Sequence, residues 1–235
     1  FKLYSMKFLE LRQTGYDLLK GSGLEIGAFE HPACLPTVCS VEYVDRFSTF
    51  EAQKLFPEVE CSKLIEPDHL IDLDCDGLKF FKSASRDFVI FNHVIEHLIN
   101  PMFALEEIFR VLRQGGYCVI AAPDKEYTFD KDRPLTPFNV LIEAYESGLS
   151  ENSAEDYQDI LNFIHTEHLG KPKSFINKCL DSYHARREHL HIWTSESFRL
   201  FLVSALSYLK LQSSPVYEVT AVDNSFEYFG VWQKR

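Results

Sequence analysis

The chain has 235 residues, of which 46% are hydrophobic, so it is long and apolar enough for one large domain with an insertion. Its 24 basic and 35 acidic residues give a formal net charge of −11, which argues against nucleic acid and anionic membranes as partners. Six cysteines without a C-x-x-C pair, and no apolar run near the roughly 18 residues that a membrane span needs, predict a reduced, cytoplasmic protein with no membrane span.

The first half of the chain alternates helical and strand patterns. A helix is predicted over residues 3–19, with Gly21 as the residue that terminates it. The charges within this segment are not typical of a signal peptide. The apolar positions of the helix are Leu3, Met6, Leu9, Leu11, Leu18 and Leu19. The predicted strands are "LEIG" (24–27), "SVEYVD" (40–45), "HLIDLD" (69–74), "RDFVIFN" (86–92) and "YCVIAAP" (117–123). An amphipathic helix over 101–116, with Pro at its start and Gly-Gly at its end, precedes the last of them.

The second half begins with a polar, partly helical stretch. Residues 124–192 are predicted to be a helical insertion, or lid, within a single domain that spans 1–235. A helix over 194–209 follows, with Thr194 as its predicted cap. Two strand-like runs, 215–222 and 226–233, predict a C-terminal antiparallel hairpin. Strands that alternate with helices indicate an α/β sheet.

The stretch "GSGLEIGAFEHP" (21–32) is rich in glycine but does not have dinucleotide-binding spacing. Gly21, Gly23 and Gly27 give G-x-G-x-x-x-G, whereas dinucleotide folds use G-x-G-x-x-G. The first two glycines are predicted to end the N-terminal helix. Gly27 is then the functional turn, with Glu25 inside the strand before it.

The E-x-G string at Glu25–Gly27 resembles motif I of the class I S-adenosylmethionine-dependent methyltransferases, type 11-like. Asp45 ends the second predicted strand, where an acid accepts hydrogen bonds from ribose. Asp74 stands where the family contacts adenine. Residues 87–124 resemble the family's fourth strand, helix, Gly-Gly turn and fifth strand, so the resemblance covers 23–124.

This resemblance implies a doubly wound, mostly parallel seven-stranded Rossmann-like sheet and S-adenosyl-L-methionine as the cofactor. The cofactor-binding residues that it implies are Glu25, Gly27, Ala28, Phe29, Asp45, Arg46, Asp74, Cys75 and Asn92. Residues 123–148 and 188–198 also resemble a bacterial subgroup linked to glycan or cell-surface polysaccharide assembly.

The chain departs from the family pattern in the first turn and in the first crossover. Phe29 and His31 occupy positions where motif I usually has further glycines. Only thirteen residues (28–40), including Pro32 and Pro36, join the first two strands. A parallel crossover needs about a dozen residues or more, so the first crossover helix is predicted to be vestigial.

Two residues are candidates for the proton transfer that a hydroxyl acceptor needs. His93 follows the fourth strand and has a suitable intrinsic pKa; packing or a hydrogen bond to the loop backbone is the alternative. Asp124 follows the fifth strand, with a simple cap as its alternative. Structural roles are expected for Glu96 and His97.

Five further residues are candidates for substrate contacts: Tyr127, Arg133, His189, His191 and Trp193. An internal ion pair is the alternative for Arg133, and hydrogen bonds to the backbone of a helix-entry loop are the alternative for the histidines. Cys179, His184, His189 and His191 have spacings of five, five and two, which do not match a tetrahedral zinc framework, so no metal is predicted.

The predicted activity is methyl transfer to an oxygen, or less favourably a nitrogen, of a small polar or glycan acceptor. The alternatives are a lipid-like or macromolecular acceptor, and a non-catalytic scaffold. A nicotinamide-dependent oxidoreductase is disfavoured by the glycine spacing. Acceptor identity and oligomeric state stay open.

Overall fold

The computed structural model describes residues 6–235 and contains one seven-stranded sheet. Its strands are β1 (Gly21–Ile26), β2 (Cys39–Asp45), β3 (His69–Leu70), β4 (Arg86–Asn92), β5 (Leu112–Pro123), β6 (Ser213–Val219) and β7 (Glu227–Lys234). Their order is β3-β2-β1-β4-β5-β7-β6. Strands β1 to β5 are parallel, whereas β7 is antiparallel to both β5 and β6. The predicted doubly wound, mostly parallel sheet with a C-terminal antiparallel pair is confirmed.

Helices cover the sheet and form most of the insertion. Within residues 6–235 they are α1 (Met6–Tyr16), α2 (Thr49–Leu55), α3 (Leu73–Asp76), α4 (Pro101–Val111), α5 (Phe138–Ser147), α6 (Gln158–Phe163), α7 (Lys173–Arg186), α8 (Ser195–Tyr208) and α9 (Ala221–Asn224). Local sequence fixes two of their starts. The Asn100 side chain caps α4 by accepting from the Phe103 N–H, and Thr194 caps α8 as predicted.

Strand β4 is buried on both faces, as its continuous apolar run predicts. Val89 and Phe91 pack into the large core under α4 and α8, while Phe88 and Ile90 pack on the opposite face with Tyr16 of α1. Each such side chain contributes roughly 1.5–3 kcal/mol of burial free energy. The sheet centre is therefore a rigid base for the loops at its carboxyl edge.

The insertion has a small core of its own. Tyr157, Ile160, Leu161 and Leu180 bury one another between α6, α7 and the turn that precedes α6. The helices α5, α6 and α7 all lie within the residues predicted to form a helical insertion.

The N-terminal predictions need correction. Helix α1 ends at Tyr16, and Gly21 and Gly23 lie inside β1 instead of ending the helix. A Cβ on Gly23 would lie 2.2 Å from the Phe88 ring, so this glycine allows β1 and β4 to pack closely. Leu9 is 55% exposed, so the predicted apolar face is also wrong there. Leu3 lies outside the described residues.

Three element boundaries also differ from prediction. Strand β3 has two residues and gives way to α3, so Asp74 lies in a helix and does not end a strand. Helix α4 ends at Val111, which places Gly115 and Gly116 inside β5. A short helix, α9, separates β6 from β7 in place of a tight hairpin turn. The vestigial first crossover is confirmed, because residues 27–38, all of them described, contain turns and no helix.

Candidate active site

The carboxyl ends of the central parallel strands form one edge where candidate residues meet. In the β1–β2 ladder Ile26 pairs with Val44, and in the β1–β4 ladder it pairs with Phe91. Gly27, Asp45 and Asn92 therefore leave the sheet side by side. Ligands of open α/β sheets bind at this edge.

The turn after β1 has a strained backbone that its sequence only partly predicts. Gly27 has φ +69°, and a Cβ there would lie 2.5 Å from Val94 Cγ2. Phe29 also has positive φ, at 49°, a conformation that costs a side-chain-bearing residue about 1 kcal/mol. The Phe29 ring packs edge-on against Phe56, with centroids 5.3 Å apart. Phe29 therefore adopts a glycine-like backbone while its ring packs toward α2.

Glu25 closes this turn from inside β1. It is 3% exposed, and its Oε1 accepts from the Ala33 N–H at 2.8 Å. Its Oε2 is buried and has no hydrogen-bond partner among the described residues. Burial raises the pKa of Glu25 to about 7, although the Ala33 N–H and the positive charge of Arg12 oppose the shift. The second oxygen is thus an unused acceptor.

Asn92 provides a second unused acceptor at the tip of β4. Its Nδ2 donates to the Tyr16 hydroxyl at 3.0 Å, which ties α1 to this edge. Its Oδ1 is buried and has no partner among residues 6–235. Buried polar atoms without partners are uncommon and indicate a missing ligand or water. Glu25 and Asn92 therefore suit a ligand that donates hydrogen bonds.

Asp45 lies at the tip of β2, beside the turn. Its Oδ1 accepts from the Phe47 N–H at 3.1 Å. Burial raises the pKa of Asp45, and the N–H groups of Phe47 and Arg46 oppose the shift. Arg46 itself pairs with Asp72, 3.1 Å away. The Asp45 carboxylate is available to hydroxyl donors at this edge.

The structure does not leave Asp74 available for the predicted adenine contact. Its Oδ1 accepts from the N–H groups of Ile99 (3.0 Å) and Asn100 (2.9 Å), and its Oδ2 lies 2.5 Å from Arg187 Nη1. Arg187 comes from the end of the insertion. Asp74 therefore fastens the insertion to the loop after β4, and the neighbouring Cys75 is exposed.

The predicted general base, His93, is held between two carboxylates. Its Nε2 lies 2.5 Å from Glu227 Oε2, and its Nδ1 lies 3.3 Å from Glu96 Oε1. The ring stacks on Phe226 with centroids 5.1 Å apart. Burial lowers the pKa of His93, but the hydrogen bond to Glu227 and the negative charges of Glu227 and Glu96 outweigh it and raise the value to about 9. The ring is protonated near neutral pH, so its surroundings do not support a role as base.

Glu227 is a site residue that the sequence analysis missed. It begins β7 and is fully buried, and its two oxygens accept from Arg12 Nε at 2.8 Å and from Arg12 Nη2 at 2.6 Å. Burial raises the pKa of Glu227, but Arg12 and His93 lower it further, and the net shift is downward. An acid in the otherwise apolar run "FEYFGVWQ" is the signal that could have identified it.

Asp124 acts as a cap, which was the alternative to its catalytic role. Its Oδ1 accepts from the Glu126 N–H at 3.0 Å, and its Oδ2 accepts from the Ser195 N–H at 2.7 Å. Both oxygens are engaged, and the side chain is buried. The structure therefore gives Asp124 a structural use and offers no free base at this position.

Arg133 forms internal ion pairs, which were the alternative to its predicted substrate contact. It is 1% exposed and binds Asp130 at 2.7 Å, Asp159 at 2.8 Å and the His189 carbonyl at 2.9 Å. Its guanidinium is therefore occupied by internal partners and is not available for the predicted substrate contact. Trp193 is likewise buried, between Phe198 and Phe201, and Tyr127 is partly exposed.

A cavity of about 880 Å³ lies beside the insertion. It is bordered by α5, residues 149–159 and residues 190–192. Its charged lining residues are Glu143, Glu151, Asp156 and Asp159, and none of its lining residues is Lys or Arg. His191 also lines it, and neither of its ring nitrogens has a hydrogen-bond partner among residues 6–235. Burial lowers the pKa of His191 to about 4, so this imidazole is neutral.

Comparison with known proteins shows which family the first half of the chain is similar to. Residues 17–120 match a family model described as a methyltransferase domain. A probable S-adenosylmethionine-dependent methyltransferase of Mycolicibacterium smegmatis is 35% identical over 85 residues, which are 35% of this chain and 33% of that protein. Residues 17–120 of this chain are therefore similar to a methyltransferase domain. The chain spans about a third of the curated relative that it matches.

Solved structures support the fold of this methyltransferase domain. A putative Zn-dependent alcohol dehydrogenase of Rhodobacter sphaeroides superposes with a TM-score of 0.58 at 14% identity, covering 99% of this chain and 90% of that one. The YcgJ protein of Bacillus subtilis gives 0.50 at 12% identity, covering 97% of both. At these identities the likeness concerns the fold alone. None of the helices within residues 6–235 combines the length and apolarity of a membrane span.

The residues of the methyltransferase domain fit one end of its cofactor better than the other. The unpartnered oxygens of Glu25 and Asn92 suit the ammonium group of the methionine part, and Gly27 leaves room for a close approach. Asp45 suits the ribose hydroxyls. At the adenine end the predicted contact, Asp74, is already occupied by Arg187.

Proposed function

We propose that the chain transfers the methyl group of S-adenosylmethionine to an oxygen, or less favourably a nitrogen, of a small polar acceptor without negative charge. A sugar or the end of a glycan meets this description. The acidic cavity carries the proposal. Arg133 offsets the charge of Asp159, and the other three carboxylates of the lining, Glu143, Glu151 and Asp156, accept hydrogen bonds from hydroxyls and attract amines but repel phosphates. Its volume, about 880 Å³, lies in the range of small-molecule sites.

The chain's own residues would bind and orient the two reactants. When bound, S-adenosylmethionine supplies the reactive methyl group. Glu25 and Asn92 hold the ammonium group and Asp45 holds the ribose. His191, with unpartnered ring nitrogens in the cavity wall, accepts a hydrogen bond from the acceptor hydroxyl.

The insertion, residues 124–192, would act as a lid that contributes most of the acceptor cavity. Segments of this insertion form most of the lining, and they lie outside the part of the chain that matches the methyltransferase family model. A closed lid excludes water from the reacting groups. We place the reaction in the cytoplasm, in keeping with cysteines that are not spaced as pairs.

Two measurements test the proposal. Calorimetric titration should show micromolar S-adenosylmethionine binding, weakened at least tenfold by Asp45→Ala. A transfer assay with labelled cofactor should favour neutral glycosides and amino sugars over sugar phosphates. Glu143→Gln should lower kcat/KM for amino sugars, whereas Glu146→Gln, on the same helix but outside the lining, should not. Absent cofactor binding, or a preference for phosphorylated acceptors, would refute it.

A further inference from the structure

Two histidines and a buried carboxylate form a cluster between the methyltransferase domain and the insertion. Glu96 and His97 follow β4, and His189 lies between α7 and α8. One carboxylate oxygen and two imidazole nitrogens from these residues all lie within 4.8 Å of one another. We propose that Glu96, His97 and His189 form a binding site for a divalent transition-metal ion.

Glu96 is the residue that most needs a further partner. It is 0% exposed, and neither of its carboxylate oxygens forms a hydrogen bond within the described chain. Its Oε1 lies 3.3 Å from His93 Nδ1 and 3.9 Å from His97 Nε2. A buried carboxylate without hydrogen bonds is costly, and the His93 ring beside it supplies a positive charge but no hydrogen bond. A bound cation would give this carboxylate the direct partner that it lacks.

Each histidine donates a hydrogen bond from Nδ1, which leaves the lone pair of its Nε2 free. His97 Nδ1 lies 2.6 Å from the Arg187 carbonyl oxygen, which only accepts, so Nδ1 carries the hydrogen. His189 Nδ1 makes the same contact with Asp130 Oδ2, also at 2.6 Å. Each ring thereby keeps Nε2 as a metal ligand. Outer partners of this kind orient most metal-binding histidines in proteins.

The ligand set selects the class of metal. Imidazole nitrogens suit zinc and its first-row neighbours, whereas Mg²⁺ and Ca²⁺ prefer oxygen ligands throughout. Two ligands that each lie about 2.1 Å from an ion are at most about 4.2 Å apart. The separation of 3.9 Å between Glu96 Oε1 and His97 Nε2 is within that limit, and any other pair, at up to 4.8 Å, has to close by at most about 0.6 Å. Three protein ligands leave a fourth position for water.

The site would connect two parts of the chain. Glu96 and His97 belong to the loop after β4, and His189 belongs to the end of the insertion. The Glu96 carbonyl already accepts from the N–H groups of Leu190 and His191, at 2.8 and 3.0 Å. A metal ion would reinforce this junction. The spacing of histidines within one segment does not reveal the site, because its ligands come from distant parts of the sequence.

Metal binding to the chelator-treated full chain tests the inference. Zn²⁺ titrated by calorimetry should bind with one equivalent per chain, and Co²⁺ should give the visible absorption of an ion with nitrogen ligands. His97→Ala and His189→Gln should each weaken Zn²⁺ binding at least about 100-fold. His184→Ala, on α7 but outside the cluster, should bind Zn²⁺ as the unmodified chain does. Far-UV circular dichroism checks the fold of each variant.

Several results would overturn the site. One is a lack of stoichiometric Zn²⁺ or Co²⁺ binding by the unmodified chain, which decides the question even if a variant fails to fold. Another is unchanged binding in both His97→Ala and His189→Gln. A third is loss of binding in His165→Ala, because His165 belongs to a separate, more exposed group with Glu167 and His168. None of these readouts depends on methyl transfer, so the proposed activity stands or falls separately.

Discussion

The buried carboxylate of Glu25 makes a quantitative prediction about pH and stability. Folding raises its pKa from an ordinary value of 4.5 to about 7, chiefly through burial. Between these values the folded chain binds a proton that the unfolded chain has released, so the free energy of unfolding falls as pH rises. For a single group with these two pKa values, the loss between pH 5 and pH 8 is about 2.5 kcal/mol.

Glu25→Gln removes this titration and keeps an oxygen for the Ala33 N–H. The free energy of unfolding, from urea titrations at several pH values, should therefore decrease less in the variant than in the unmodified chain. The expected difference is about 2.5 kcal/mol between pH 5 and pH 8. Glu10→Gln, which changes an exposed carboxylate on α1, serves as the control and should show no such difference. Parallel pH profiles for Glu25→Gln and the unmodified chain would refute the reasoning.

Three further substitutions test neighbouring parts of the site. Gly27→Ala should destabilise the fold by about 1–3 kcal/mol in urea titrations, because its Cβ would lie 2.5 Å from Val94 Cγ2; an unchanged midpoint would contradict the turn geometry. Arg187→Met should cost about 3 kcal/mol by the same measurement, since it leaves Asp74 buried without its counter-ion, and a neutral effect would argue against the ion pair. His191→Ala should lower kcat/KM about tenfold or more, while the affinity for the cofactor, measured by calorimetry, is unchanged. A loss confined to cofactor affinity would exclude a contact between His191 and the methyl acceptor.

Local pattern was enough to predict the centre of the sheet and the starts of α4 and α8. The run at β4 is apolar on both faces because the strand is covered from both sides, and that requirement is visible in four consecutive residues, 88–91. Thr194 is equally local, since a helix cap bonds within its own first turn. Patterns of this kind require no knowledge of which segments meet.

The errors arise where distant contacts decide the outcome. Gly23 looks like a helix terminator, but it is placed by the Phe88 ring of a neighbouring strand. His93 looks like a base until Glu227, from the far end of the chain, adds a second carboxylate beside its ring. Asp74 looks like a cofactor ligand until Arg187 reaches it from the insertion. Each correction involves a partner more than 60 residues away along the chain.

The loop after β4 connects the cofactor edge to the proposed acceptor cavity. Ile99 lines the cavity, and its N–H is bonded to Asp74, which anchors Arg187. Leu190 and His191, on the opposite wall, are bonded through their N–H groups to the Glu96 carbonyl. An acceptor that displaces residues 190–192 would therefore also move the loop after β4. This loop contains His93 and begins directly after Asn92, which lies at the cofactor edge. This physical connection is a reason to expect that the acceptor and the methyl donor do not bind independently.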